Sequence, residues 1–171
     1  MNTNQTAKKD FLWLCIPLGI LAGFILKLFV IDILHISGHS MEPTFSNGDS
    51  VLVYRLAYGI AKPYRTTFFV QWAEPLTNDI VIYLHDNKIV IKRCTAVAGD
   101  QLDFSCDSGY SLKVNGISVE LSVEQYQKMK SYSKVPEGYI LALGDNPSDS
   151  IDSRDYGFVS VKNVTGKVLC R

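Results

Sequence analysis

From Phe11 to Leu26 the chain runs sixteen residues without a charge, and after Lys27 it stays apolar from Leu28 to Ile31. No other segment restricts the fold as much. As a helix rising 1.5 Å per residue, Phe11–Ile31 reaches about 31 Å, close to a hydrocarbon core of about 30 Å. The stretch is longer than the apolar part of a usual cleaved leader and has no clear small-residue cleavage pattern. The expectation is therefore an uncleaved transmembrane anchor over residues 11–31. Lys27 lies near one end, from which a lysine can snorkel to the headgroups. Pro17, Gly19 and Gly23 weaken a soluble helix but are tolerated in membrane helices. Lys8 and Lys9 precede the span. The positive-inside bias then puts residues 1–10 in the cytoplasm and residues 33–171 on the outer, periplasmic face of the cytoplasmic (inner) membrane, a single-pass arrangement.

Beyond the anchor, short apolar runs alternate with turn signals. Ser50–Tyr54 follows Ser46-Asn47-Gly48-Asp49, and Asp79–Leu84 and Lys88–Val97 flank Asp86-Asn87. Gly99-Asp100 leads into Gln101–Phe104. Ser111–Val114 and Ile117–Leu121 flank Asn115-Gly116, the strongest short hairpin signal. Tyr139–Leu143, Phe158–Val161 and Thr165–Leu169 complete the set, and Glu120–Ser131 suits a helical turn. Many short strands with frequent turns predict a mainly β domain, a barrel or folded sheet. Residues 55–77, rich in aromatics (Tyr58, Tyr64, Phe68, Phe69, Trp72), read as a cap-like insertion; interfacial and core placements suit these rings equally. Residues 107–136 read as a hairpin elaboration. The 17 basic and 17 acidic residues cancel, which argues against nucleic acid as a partner, since phosphate-tracking domains carry a basic excess. Cys94 and Cys106 suit either a hairpin disulfide in an oxidising compartment or a free pair, and their spacing fits no common zinc pattern. No motif asks for a metal or cofactor.

Three segments carry the chemistry: Ile36-Ser37-Gly38-His39-Ser40-Met41-Glu42-Pro43-Thr44 just after the anchor, the pair Lys92-Arg93, and Gly144-Asp145-Asn146-Pro147-Ser148-Asp149-Ser150-Ile151-Asp152-Ser153-Arg154. A serine hydroxyl is a weak nucleophile and needs a neighbouring base. A lysine, with a reference pKa of about 10.4, serves as one near neutrality only when burial lowers that value. Lys92 has suitable surroundings, because Ile89-Val90-Ile91 precede it and Cys94 and Ala96 share its face in a strand. A histidine base is the weaker reading. His39 would face away from its neighbour Ser40, and His85 with Asp79 or Asp86 matches no known spacing.

The three segments together resemble the type I signal peptidase (leader peptidase) family, membrane-anchored Ser/Lys endopeptidases. Met41, Pro43, Thr44, Gly48 and Asp49 recur in its serine block. Asp79-Ile80-Val81, Lys92-Arg93 and Gly99-Asp100 match its lysine block. Gly144-Asp145-Asn146, Ser150, Asp152-Ser153-Arg154, Gly157-Phe158-Val159 and Gly166-Lys167 match the third. The resemblance implies a signal-peptidase-like β domain with Ser40 as nucleophile and Lys92 as base. It makes Ser150 a hydroxyl that orients the lysine, Asp152 and Arg154 a supporting ion pair, and Gly144 and Asp145 the turn beneath the site. The backbone N–H of Ser40 is one oxyanion donor; the position that supplies a second hydroxyl in some relatives is Gly38 here, so the second donor is open. Ile36, Val90 and Ile91 are candidates for lining the substrate pocket. The resemblance further implies removal of signal peptides from exported preproteins, with the lipid bilayer and the protein translocase as partners. Rival readings are a dedicated pilin-processing peptidase of conjugation, a self-cleaving Ser/Lys repressor and a catalytically inactive membrane-tethered binding module. The repressor is disfavoured by an N-terminus without DNA-binding helices.

Overall fold

The computed structural model describes residues 3–62, 68–107 and 109–170. Helix α1 runs Thr3–Ile25, a π-helical turn follows over Leu26–Val30, and strand β1 starts at Ile31 and ends at His35. Among the described residues no helix is long and apolar enough to cross a membrane. The anchor expected over 11–31 is therefore not shown as one unbroken helix. The α-helical part of the apolar stretch ends at Ile25, so Phe11–Ile25 spans only about 22 Å. Ile31 already pairs with Tyr54 in a sheet. The polar partner of Asp32 accounts for this early turn to strand: Arg55 donates to its carboxylate at 2.6 Å, which ties β1 to the end of the next strand. Along α1 the side chains of Trp13, Ile16, Leu18, Ile20, Leu21 and Phe24 are all exposed.

The domain is mainly β, as expected. Strands β2 (Ser50–Tyr54), β5 (Ile80–His85), β6 (Lys88–Val97), β10 (Tyr139–Leu143), β11 (Val159–Ser160) and β12 (Val164–Cys170) join β1 in a seven-stranded sheet of order β1-β2-β12-β5-β6-β10-β11. All of its described pairings are antiparallel. Two small sheets are added. One pairs β3 (Gly59–Ala61) with β4 (Phe68–Gln71) inside the expected insertion, and the other joins β7 (Asp103–Ser105), β8 (Ser111–Val114) and β9 (Ile117–Glu120). Asn115 and Gly116 sit at φ 48° and 80° between β8 and β9, the positive-φ pair that a tight hairpin needs. Helix α2 (Val123–Met129) opens with a capping box between Ser122 and Gln125, and α3 (Ser153–Tyr156) opens with another between Asp152 and Asp155.

Burial separates the aromatics of the insertion. Tyr58 is buried and donates to Asp79 at 2.7 Å, whereas Phe69 and Trp72 are exposed; Tyr64 lies outside the described residues. Cys94 is buried and Cys106 exposed, and both are free thiols. One apolar cluster, around Ile36, Met41, Phe45, Val51, Val53 and Ile82, underlies the Ser40 loop. A second, around Val81, Tyr83, Cys94 and Ala142, underlies Lys92. The serine and the lysine therefore rest on packed strands rather than on free loops.

Candidate active site

Ser40 lies in the turn that follows β1. Its approach is fixed by Ile36, whose N–H donates to the Asp49 carbonyl at 2.8 Å and whose carbonyl accepts from Gly48 N–H at 2.9 Å. The chain then reverses at Gly38, at φ 102°, where an L side chain would be strained. Met41 and Phe45 bury themselves beneath the turn.

Lys92 comes from the middle of β6. The period of two puts it on the face of Cys94, which is fully buried. Ala96, expected on that face, is turned to the other by a bulge at Thr95 and packs in a different apolar cluster with Leu141. Lys92 itself keeps only 4% exposure. Its Nζ donates to Ser40 Oγ at 2.6 Å. No carboxylate among the described residues lies within ion-pair distance of this amine. Burial pushes the lysine below its ordinary value. The charges of Asp152, Asp145 and Asp149 oppose that effect without reversing it, and Arg154 adds to it.

The 144–154 segment builds the floor. A Cβ added to Gly144 would fall 2.6 Å from the Ser40 carbonyl oxygen and inside the Ser150 hydroxyl, so only glycine lets β10 pass this close. Asp152 is fully buried and Arg154 nearly so. Arg154 grips the carboxylate with Nε and Nη2, each at 2.9 Å, while Gly144 N–H donates at 2.9 Å and Ser150 Oγ at 2.6 Å. Burial pushes the Asp152 carboxyl up, but these donors outweigh it and hold the group below its usual value. The Ser150 hydroxyl, expected on the lysine, thus spends its proton on Asp152, and Lys92 is not among its hydrogen-bond partners. A second brace was not foreseen. Arg93 donates to Asp145 through Nε at 2.8 Å and Nη2 at 2.6 Å, and Thr44 of the serine turn donates to the same carboxylate at 2.5 Å. Alternation along β6 was the available signal, since a strand that turns Lys92 to one face turns Arg93 to the other.

A groove of about 640 Å³ opens over Ser40 and Lys92, walled by residues 34–41, by 89–92 and by 148–151. Ile36, Val90 and Ile91 all lie on it. Ile89 and Ile151, large and exposed, lie there too and were missed. Two of the three histidines have other partners: His39 Nδ1 meets Glu42 Oε1 at 2.8 Å, and His85 stacks on Tyr156 with ring centroids 3.9 Å apart. His35 lies on the groove, but among the described residues the side-chain partner of Ser40 is Lys92.

Fold and groove together define a mainly antiparallel β protein in which a serine hydroxyl contacts a buried lysine. The chain belongs to the signal peptidase family, peptidase S26, whose sequence model matches residues 8–171, and it is accordingly a peptidase. It is similar to signal peptidase I of Bacillus caldolyticus, 30% identical over 84% of this chain and 80% of that one. It is also similar to signal peptidase IB of Staphylococcus aureus, 28% identical over 96% and 90%. A solved signal peptidase I from Enterococcus faecalis is 28% identical, with a TM-score of 0.40 over 57% of this chain and 97% of that one.

Proposed function

We propose that this chain removes N-terminal signal peptides from exported preproteins, with Ser40 as nucleophile and Lys92 as general base. The contact between the Ser40 hydroxyl and a buried lysine that has no carboxylate partner among the described residues carries this reading. Ser40 Oγ attacks the scissile carbonyl carbon while Lys92 takes its proton, and the carbonyl electrons move to oxygen. The tetrahedral intermediate collapses with cleavage of the C–N bond, and the departing amine takes the proton held by Lys92, which leaves the lysine neutral. Water, deprotonated by the same lysine, then releases the acyl group. Asp152 and Arg154 hold the floor under the lysine, and Gly144 and Asp145 set the close approach of β10 to the serine turn.

The substrate binds as an added extended strand. Two unpaired edges support this. β1 ends the large sheet, and the described pairing of β6 with β10 reaches only from Val97 to Arg93, leaving Lys88–Lys92 open on that side. Ile36, Val90 and Ile91 then shape pockets for small side chains. The protein is anchored by α1 in the cytoplasmic membrane with residues 1–10 inside and the β domain on the outer face. The exposed apolar side chains of α1, with exposed Leu26 after it, support that placement, and exposed Phe69, Val70 and Trp72 in the 55–77 cap suit contact with the bilayer surface. The translocase, which delivers preproteins, is a neighbour on this reading.

The test is cleavage of a preprotein bearing an Ala-x-Ala site by detergent-solubilised wild type, Ser40→Ala and Lys92→Ala, with product ends mapped by mass spectrometry. Cleavage after the second alanine, lost in both variants, is expected. Full activity in either variant sinks the dyad, and a folded wild type that cuts no such site points to a dedicated substrate.

A further inference from the structure

Asn146 takes no part in the scheme above, yet it bonds to both peptide groups that flank the nucleophile. Its backbone N–H donates to the Ser40 carbonyl at 3.0 Å, and its side-chain Nδ2 donates to the His39 carbonyl at 3.2 Å. The orientation of the amide is fixed from the other end, because Ser148 Oγ donates to Oδ1 at 2.8 Å. The His39 carbonyl and the Ser40 N–H belong to one planar trans peptide and point in opposite directions. Holding that carbonyl toward Asn146 turns the Ser40 N–H away from Asn146, and no described residue accepts from it. His39, Ser40 and Met41 line the groove, whereas Asn146 does not.

We propose that Asn146 is a positioning residue that aims the Ser40 N–H at the oxyanion of the reaction. This rests on the reading of Ser40 as nucleophile. The bond to the His39 carbonyl also polarises the peptide and strengthens its N–H as a donor. Preorganised donors act where charge develops, so the loss falls on turnover rather than on substrate binding.

The experiment compares Asn146→Ala and Asn146→Asp with wild type and Ser40→Ala. Asn146→Asp keeps shape and backbone N–H but replaces the side-chain donor with an acceptor that repels the His39 carbonyl. Both Asn146 variants should lose about 10–100-fold in kcat, with KM changed less than about threefold. A substrate-like peptide aldehyde adds the second readout. Ser40 Oγ bonds to the aldehyde carbon, its proton passes to Lys92, and the carbonyl oxygen takes the negative charge. Affinity for the aldehyde should fall by the same factor as kcat, while affinity for the matching peptide alcohol, which forms no oxyanion, should hold. Equal losses for aldehyde and alcohol, or wild-type kcat in Asn146→Asp, overturn the inference alone if Ser40→Ala is inactive. Activity in Ser40→Ala overturns the underlying reading and this inference with it.

Discussion

Two lysines stand opposite the same residue of the central sheet. Lys92 on β6 and Lys167 on β12 both pair in register with Val81 of β5, one from each side. Their surroundings differ in the one respect that matters for chemistry. Lys167 is more than a third exposed and meets Asp79 at 2.5 Å. That carboxylate is further held by Tyr58 Oη at 2.7 Å and Leu76 N–H at 3.1 Å. Lys92 is buried and, among the described residues, meets only a hydroxyl at 2.6 Å. A counter-charge keeps a lysine protonated and makes it a brace. Burial without one favours the neutral amine and makes it a base. The backbone gives both positions equal access to the sheet, so the partner decides the role.

The sharpest way to break this contrast is to remove each amine with little loss of volume. Lys92→Met should lower kcat/KM for preprotein cleavage by at least about 10⁴-fold, whereas Lys167→Met should stay within about threefold of wild type under conditions where both are folded. Comparable losses in the two variants would mean that partner chemistry does not separate them. Second in size is the floor beneath Lys92. Asp152→Ala leaves Arg154 buried without its carboxylate and orphans the donors Gly144 N–H and Ser150 Oγ, so denaturant melts should show a loss of about 3–5 kcal/mol.

Much of this contrast was legible in the sequence because it is local. The strands Ser50–Tyr54, Lys88–Val97 and Tyr139–Leu143 were read with their observed bounds, since each shows strand chemistry between turn residues. The expected short runs 158–161 and 165–169 differ from the observed strands by one residue at each end, as element ends do. What was hidden depends on partners far along the chain. β1 was absorbed into the apolar N-terminal run because nothing local announces that Asp32 will meet Arg55. β3 and β4 were concealed in an aromatic stretch without period. The groove-lining candidates Ile36, Val90 and Ile91 followed from adjacency to the serine and lysine, but Ile89 and Ile151 needed the fold. The Arg93–Asp145–Thr44 brace joins residues up to 101 positions apart, a distance no spacing rule spans.

A smaller effect tests the brace itself. Lys167→Met removes an ion pair between a partly exposed lysine and a buried carboxylate and leaves Asp79 with Tyr58 and Leu76 N–H as donors, so a stability loss of about 1 kcal/mol is expected. Burial pushes the Asp79 carboxyl up, but Lys167, Tyr58 and Leu76 N–H together hold it below its usual value. The stability it contributes is therefore present above its unfolded value, near 3.8, and is lost as pH falls through the folded one.

Lys92 should also make stability rise with pH, but at alkaline pH and as a fading penalty rather than a stabilisation gained, and this smallest effect is the most specific. Its folded pKa lies below the unfolded value of 10.5, so between the two the unfolded chain binds more protons than the folded one. Stability then rises with pH across that window. Relative to Lys92→Met, which cannot titrate, the wild type carries its full penalty below the folded pKa of the lysine. The penalty shrinks through the window and disappears once the unfolded lysine has also lost its proton. Melting temperatures of the two proteins measured from neutral to alkaline pH should converge, and kcat/KM of the wild type should climb over the lower part of the same range as neutral Lys92 accumulates. A constant gap in melting temperature would place the proton elsewhere, and an activity rise centred near the unperturbed histidine value of about 6.5 would move the base to a histidine.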